Sequence, residues 1–209
     1  MSDANTQAER RHVFHAHDGP PDTFDAAKTS SFAMRLAGPA QRWSLRTDDT
    51  PASVAPAHFD IGQPINVLRE TVSQPPSHSN ASRLSARLGP DEWLLIAQGS
   101  QDTALTSEIS AAFAEHRHEL VDISHRNIAI EVTGAGAADV LNTGCPLDLH
   151  ETAFAAGSAT RTLFAKTEIV LMRRHDVAGQ PLYRIECWRS FGRYLFAHLA
   201  DSATLLGLR

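Results

Sequence analysis

Cysteine is scarce in this chain: Cys145 and Cys187 are the only two among 209 residues. Two thiols cannot build the disulfide framework of a small secreted protein. Both are expected to be reduced, as in a cytosolic setting. Long apolar runs are missing too, and no stretch approaches the roughly 18 residues of a membrane span. The opening residues are polar and include Asp3. A secretory signal instead needs a basic start and an apolar segment of about 7–15 residues. The expected location is therefore the cytoplasm, with no membrane attachment. Basic charge is also short, with 19 Lys and Arg against 24 Asp and Glu, a net charge of −5. A nucleic-acid binder draws most of its affinity from phosphate neutralisation by a clustered basic face. Arg10–Arg11 and Arg173–Arg174 are too short for that, so nucleic acid is not expected as a partner.

What the chain does have is an apolar content of 42%, enough to seal a core at this length. Residues 1–30 hold few aliphatic side chains and read as a flexible tail. Residues 31–209 read as one α+β domain. Phe32–Leu36 and Trp43–Leu45 are short strand candidates on either side of Gly38–Pro39. Residues 47–60 and 72–82, rich in Pro, Ser, Asp and Ala, read as surface connections. Leu84, Ala86 and Leu88 alternate with polar residues, and Gly89–Pro90–Asp91 is turn chemistry, so Trp93–Ala97 completes a hairpin. Leu105, Ile109, Ala112, Phe113 and His116 recur at helical spacing, with Asp102 as a candidate cap. Leu120–Ile123 and Ile128–Val132 follow as strands. In the latter, Ile128, Ile130 and Val132 share one face, and Asn127, Ala129 and Glu131 the other. A short helix over Ala137–Asn142 is expected to stop at Gly144. Thr160–Phe164 pairs with Glu168–Arg173 around Ala165–Lys166–Thr167. Another strand, with Tyr183, Ile185 and Cys187, follows the Gly179–Gln180–Pro181 turn. Ser190 is expected to cap a last helix whose apolar stripe is Phe191, Tyr194, Leu195, His198 and Leu199. From residue 82 onward the order is β-β-α-β-β-α-β-β-β-α. This mixture implies a mixed, mainly antiparallel sheet with packed helices.

No segment supplies a complete catalytic or cofactor motif. Gly134–Ala135–Gly136 follows a strand and opens a helix, as a dinucleotide fingerprint does, but Asp139 stands where the third small residue belongs. A carboxylate there opposes a pyrophosphate, so an ordinary strand-to-helix turn is expected. Asp122, Ser124 and His125 contain triad chemistry, yet adjacent strand residues point to opposite faces. Cys145, at a helix C-terminal end, lacks the positive field that would activate a thiol, and Cys187 reads as an inward strand residue. Eleven histidines include the cluster His12, His15 and His17 and the pair His116 and His118. Neither has the closely spaced ligands of a structural zinc site. Arg161, Arg173, Arg174, Arg184, Arg189 and Arg193 are candidates for an anionic ligand or a partner's carboxylates, with a solvated face as the plainer expectation. No catalytic, cofactor-binding or metal-binding residue is therefore assigned.

Several segments together resemble the gamma subunits of heterotetrameric sarcosine oxidases. They are Val121–Asp122–Ile123–Ser124–His125–Arg126–Asn127 running to Gly134, Leu141–Asn142–Thr143–Gly144–Cys145–Pro146–Leu147–Asp148–Leu149, Thr160–Leu163 with Glu168–Arg173, and Arg189–Ser190–Phe191–Gly192–Arg193–Tyr194–Leu195. Gly89–Pro90 with Trp93–Ile96 also fits, and the resemblance covers about residues 82–203. The same elements are more distantly similar to the first domain of the folate-dependent aminomethyltransferase group, although no catalytic carboxylate matches. The resemblance implies a non-catalytic subunit of a flavin-dependent complex that demethylates sarcosine to glycine. Its partners would be the alpha, beta and delta subunits. FAD, FMN, NAD, tetrahydrofolate and zinc would be held in those other chains. Contact with them is expected through the Arg-rich strands and the surface near Trp188. A stand-alone tetrahydrofolate-binding aminomethyltransferase-like protein is the alternative.

Overall fold

Alternation of apolar side chains along successive strands builds two sheets, seen in a computed structural model that describes residues 31–48, 59–72, 82–99 and 104–208. The strands are β1 (Ala33–Leu36), β2 (Ala40–Thr47), β3 (Leu68–Val72), β4 (Ser82–Arg87), β5 (Glu92–Gln98), β6 (His118–Asp122), β7 (Asn127–Thr133), β8 (Ala159–Phe164), β9 (Thr167–Val177) and β10 (Gln180–Trp188). The helices are α1 (Leu105–Ala112), α2 (Ala137–Asn142) and α3 (Gly192–Leu205), with one 3-10 turn at Arg189–Phe191. One sheet runs β1-β7-β10-β9-β8 and the other β3-β4-β5-β2-β6. Every pairing between these strands is antiparallel.

Period-two alternation sorts the side chains into three buried layers. Ile130, Val132, Ile169, Leu171, Tyr183 and Ile185 leave one face of the first sheet and meet Val140 and Leu141 of α2 and Leu195 and Leu199 of α3. Trp43, Leu45, Trp93 and Leu95 leave the outer face of the second sheet and meet Leu105 and Ile109 of α1. The inner faces contribute Leu84, Ala86, Leu94 and Ile96 from one sheet and Ala159, Val170 and Met172 from the other. Full burial of each Leu or Ile contributes roughly 1.5–3 kcal/mol, so α2 and α3 are held mainly by this packing.

The element order expected from residue 82 onward is the order observed, and the α+β, mainly antiparallel expectation holds. The strands divide into two facing sheets because the face of the first that carries Ala129, Glu131 and Glu186 meets Arg42 of the second instead of water. β3 was not foreseen, since its residues Leu-Arg-Glu-Thr-Val hold too few apolar side chains to announce a strand. Residues 1–30, the whole of the expected tail, and Asp102 lie outside the described residues. Three local expectations need correction. Ser190 does not cap α3; it sits inside the 3-10 turn, and the helix begins after Phe191 without a side-chain cap. Gly144 ends α2 without adopting the left-handed conformation. Its missing Cβ is instead required by the Phe164 ring, which lies 3.0 Å from where that atom would be. The hairpin after β9 turns on Ala178 and Gly179, at φ of 52° and 73°. This left-handed pair is what a two-residue turn requires, and Gln180 already belongs to β10.

Gly134 closes the molecule's seam between its first and last described residues. Its φ is +112°, and a Cβ there would sit 2.5 Å from the Ser31 carbonyl oxygen. Gly136 donates its N–H to the same carbonyl at 2.7 Å, and Ser31 Oγ donates to the Leu208 carbonyl at 3.1 Å. Gly134→Ala is expected to lose about 2–4 kcal/mol of stability, because the obstructing atoms are backbone. Gly179→Ala, also at positive φ but with open space around it, should lose only about 1–2 kcal/mol. Urea unfolding midpoints of the two variants measure the difference.

Candidate functional site

Charged residues in the middle of apolar strands mark the place where the two sheets meet. Arg35, Glu131 and Arg184 stand opposite one another on adjacent strands β1, β7 and β10. Arg184 and Glu186, two positions apart on β10, share a face. Arg42 projects from β2 on the other sheet. Its Nε donates to Glu186 Oε2 at 2.7 Å, while Arg184 Nη2 donates to Glu186 Oε1 at 2.7 Å. Glu131 accepts from Arg35 at 2.6 Å, from Arg174 at 2.9 Å and from Arg184 at 3.3 Å. Arg174 also pairs with Glu70 of β3, a second bridge between the sheets. Four guanidinium groups thus meet three carboxylates. The side chains of Arg184 and Glu186 are 0% exposed, and that of Glu131 is 1% exposed.

Burial alone would push the Glu131 carboxyl up. Arg184, then Arg35 and Arg174, outweigh it and hold the group below its ordinary value of 4.5. Arg174 is pushed further up by Glu70 and Glu131 in spite of its burial. Each charge is therefore satisfied by its neighbours, which is the condition for keeping ions out of water. The arrangement can lock two sheets in register. It offers no nucleophile next to a base, and its carboxylates are already occupied.

The seam opens at one end into a small cleft of about 40 Å3. Ser44, Glu92, Arg126, Asn127, Arg161, Glu168 and Trp188 line it, with Glu186 and Cys187 behind. Arg161 of β8 reaches across to Glu92 of β5 and lies 3.8 Å from Glu168. Arg161, Glu92 and Glu168 therefore neutralise one another within the cleft.

The candidates from the sequence are scattered around this seam. The amide of Gly136 is engaged by Ser31, and Leu208 fills the space above the glycine, so the turn holds the chain's own backbone where a phosphate would approach. Asp122 accepts from the Ser124 N–H at 2.8 Å, and Ser124 Oγ accepts from the Arg42 N–H at 2.9 Å. His125 is exposed, so Asp122 and Ser124 fasten the end of β6 to β2 and His125 takes no part. Cys145 and Cys187 are both buried. Burial, aided by the Glu186 charge, pushes the Cys187 thiol up to about 12. His118 Nδ1 lies 3.0 Å from the His116 carbonyl. Among the described residues no three His, Cys, Asp or Glu side chains gather as a metal site, and His12, His15 and His17 lie outside them. No described helix is long and apolar enough to cross a membrane.

The solvated-face expectation for the arginines is overturned in part. Arg173 and Arg184 are buried, and Arg174 nearly so. The carboxylates that Arg161, Arg173, Arg174 and Arg184 meet belong to this chain. The same finding removes the buried arginines from any contact surface. Arg42, Glu131 and Glu186 were missed as a group. Their one signal is a charge repeated inside strands otherwise made of Ile, Val, Leu and Trp.

Residues 46–204 match the model of the sarcosine oxidase, gamma subunit family. A sarcosine oxidase subunit gamma from Arthrobacter sp is 34% identical over 98 residues, 47% of either chain. That from Corynebacterium sp. (strain U-96) is 31% identical over 115 residues, 55% of this chain and 53% of the relative. The chain spans about half the length of the curated relatives it matches. Among solved structures, a chain of the heterotetrameric sarcosine oxidase from Corynebacterium sp. U-96 in complex with pyrrole 2-carboxylate superposes with a TM-score of 0.66 at 23% identity, over 85% of this chain and 86% of that one. The glycine cleavage system aminomethyltransferase T from Bartonella henselae superposes with a TM-score of 0.60 at 12% identity, over 81% of this chain and 45% of that one.

Two outcomes follow from the seam. Glu186→Gln leaves Arg42 and Arg184 without their shared anion and should lower stability by about 3–5 kcal/mol in urea titrations at neutral pH. Because the Glu131 carboxyl titrates below 4.5 in the folded chain, its contribution is complete above 4.5 and is lost as the pH falls below it. A Glu131→Gln variant, less stable at pH 7, should show a flatter loss between about pH 5 and 2. An acid limb equal to that of the parent chain would contradict this.

Proposed function

Since this chain belongs to the sarcosine oxidase gamma subunit family, we propose that it serves as a non-catalytic subunit of a heterotetrameric, flavin-dependent oxidase that demethylates sarcosine to glycine. The observation that carries this reading is the extent of the family match: it runs from the end of β2 into α3 and takes in most of both sheets and, of the ionic seam, Glu70, Glu131, Arg174, Arg184 and Glu186, while Arg35 and Arg42 precede it. The described interior is consistent with a supporting role, because its buried charges bind one another. In this proposal the alpha, beta and delta subunits are the partners. FAD, FMN, NAD, tetrahydrofolate and zinc sit in those chains, and the reaction takes place in the cytoplasm.

The stand-alone folate-binding alternative rests on the shared fold and is not favoured. Its structural match is 12% identical and covers 45% of the aminomethyltransferase.

Purifying the tagged chain from its native cells tests the proposal. The expected eluate is a large complex with flavin absorbance near ~450 nm, contributed by the cofactor and not by this chain. A colourless eluate with the size of the chain alone would overturn it. Calorimetry with tetrahydrofolate on that chain would then show whether the folate alternative takes its place.

A further inference from the structure

The last helix was expected to bury one apolar stripe, and the structure splits it. Leu195 and Leu199 are buried against the first sheet. Trp188, Phe191 and Tyr194 are 51%, 41% and 41% exposed. The spacing of three, first through the 3-10 turn and then into α3, places these rings along one ridge. His198 continues it, with its ring 5.8 Å from that of Tyr194. A ring is too costly in apolar area to leave in water without reason, and a row of them marks a contact surface.

The charge around the ridge differs from that of the molecule. The chain carries −5 overall, yet residues 188–200 contain Arg189 and Arg193 and no carboxylate. Arg126 adds a third cation, its guanidinium 5.9 Å from the centre of the Trp188 ring. Trp188 and Arg126 also line the cleft at the end of the seam. Trp, Tyr and Arg beside a pocket are the composition of an interface hot spot.

We infer that the ridge Trp188–Phe191–Tyr194, with Arg126 and Arg193 at its flanks, docks an acidic and partly apolar face of a larger subunit of the oxidase, an inference that rests on the subunit reading above. Charge decides among the occupants. A second copy meeting this face across a two-fold axis would bring arginine against arginine. Nucleic acid would need far more cations than three on an acidic chain. An acidic protein face complements the positive charge of this edge while its apolar residues cover the rings.

Hydroxyl-radical footprinting of the free chain and of the complex co-expressed with its partner subunits is the test. Trp43 and Trp93 are buried, so Trp188 is the tryptophan on which the free chain should be oxidised. Entry into the complex should lower Trp188 oxidation at least about fivefold. Trp188→Ser and Arg126→Glu should each reduce incorporation at least about tenfold, with far-ultraviolet circular dichroism of the free variants unchanged. Leu205→Ser, at the far end of α3 and 87% exposed in the parent, should incorporate as the parent does. Undiminished Trp188 oxidation in the complex, or normal incorporation of both ridge variants, overturns the docking surface and leaves the subunit reading standing. A dimer of the free chain that Trp188→Ser abolishes would assign the ridge to a second copy and overturn it as well. Failure of the parent chain to enter any complex would overturn the subunit reading, and the docking surface with it.

Discussion

The Arg42–Glu186 pair ties a strand of one sheet to a strand of the other across 2.7 Å, sealed from solvent. Its geometry constrains everything around it. A carboxylate in this interior must be met by cations at hydrogen-bonding distance, or it returns to water or takes up a proton. A one-residue slip of β10 would turn Arg184 and Glu186 into the helix-covered core and send Tyr183, Ile185 and Cys187 into the seam. The charges therefore specify register and sheet orientation, which the apolar residues beside them would tolerate in several arrangements. An all-apolar seam of equal volume can be as stable. What the ions add is intolerance of misalignment.

That constraint explains which features were readable. The two faces of β7 followed from period-two alternation, and Ile128, Ile130 and Val132 do lie together. The hairpin at Gly89–Pro90–Asp91 followed from turn chemistry, since Gly and Pro preset turn dihedrals, whereas the one around Ala165–Lys166 was legible only from the strands on either side. What covers a face was not readable, because alternation states that a strand has two sides and nothing about their neighbours. Arg184 therefore read as solvent-facing, and Glu131 and Glu186 did not read as a buried cluster, until a second sheet stood over them. The α3 stripe failed for a related reason. A ring at helical spacing has the same pattern whether it meets the core or another molecule, and only the course of the 3-10 turn decides which.

The cleft and the ridge share one physical origin. The sheets are clamped by ions on one side and by Leu84, Leu94, Val170 and Met172 further along, and they separate where Arg161 spans from β8 to Glu92. Trp188 ends β10 at this opening. The chain must leave the sheet there and begin a helix. The tight turn at Arg189–Phe191 turns the aromatic side chains outward before Leu195 reaches the core.

The sheet order also bears on how the chain folds. All strands of the second sheet lie within Ala40–Asp122, so it can close from neighbouring hairpins and α1. β1 precedes that whole sheet yet pairs with β7, Ala33 opposite Thr133. A newly synthesised chain thus presents β1 first and must hold it without a partner while a complete sheet forms between. Long-range closures of this kind carry the entropic cost of large loops and slow the search for the native state. In the interval β1 is an unpaired strand open to the wrong neighbour, so synthesis speed and chaperone access bear most heavily on this short segment.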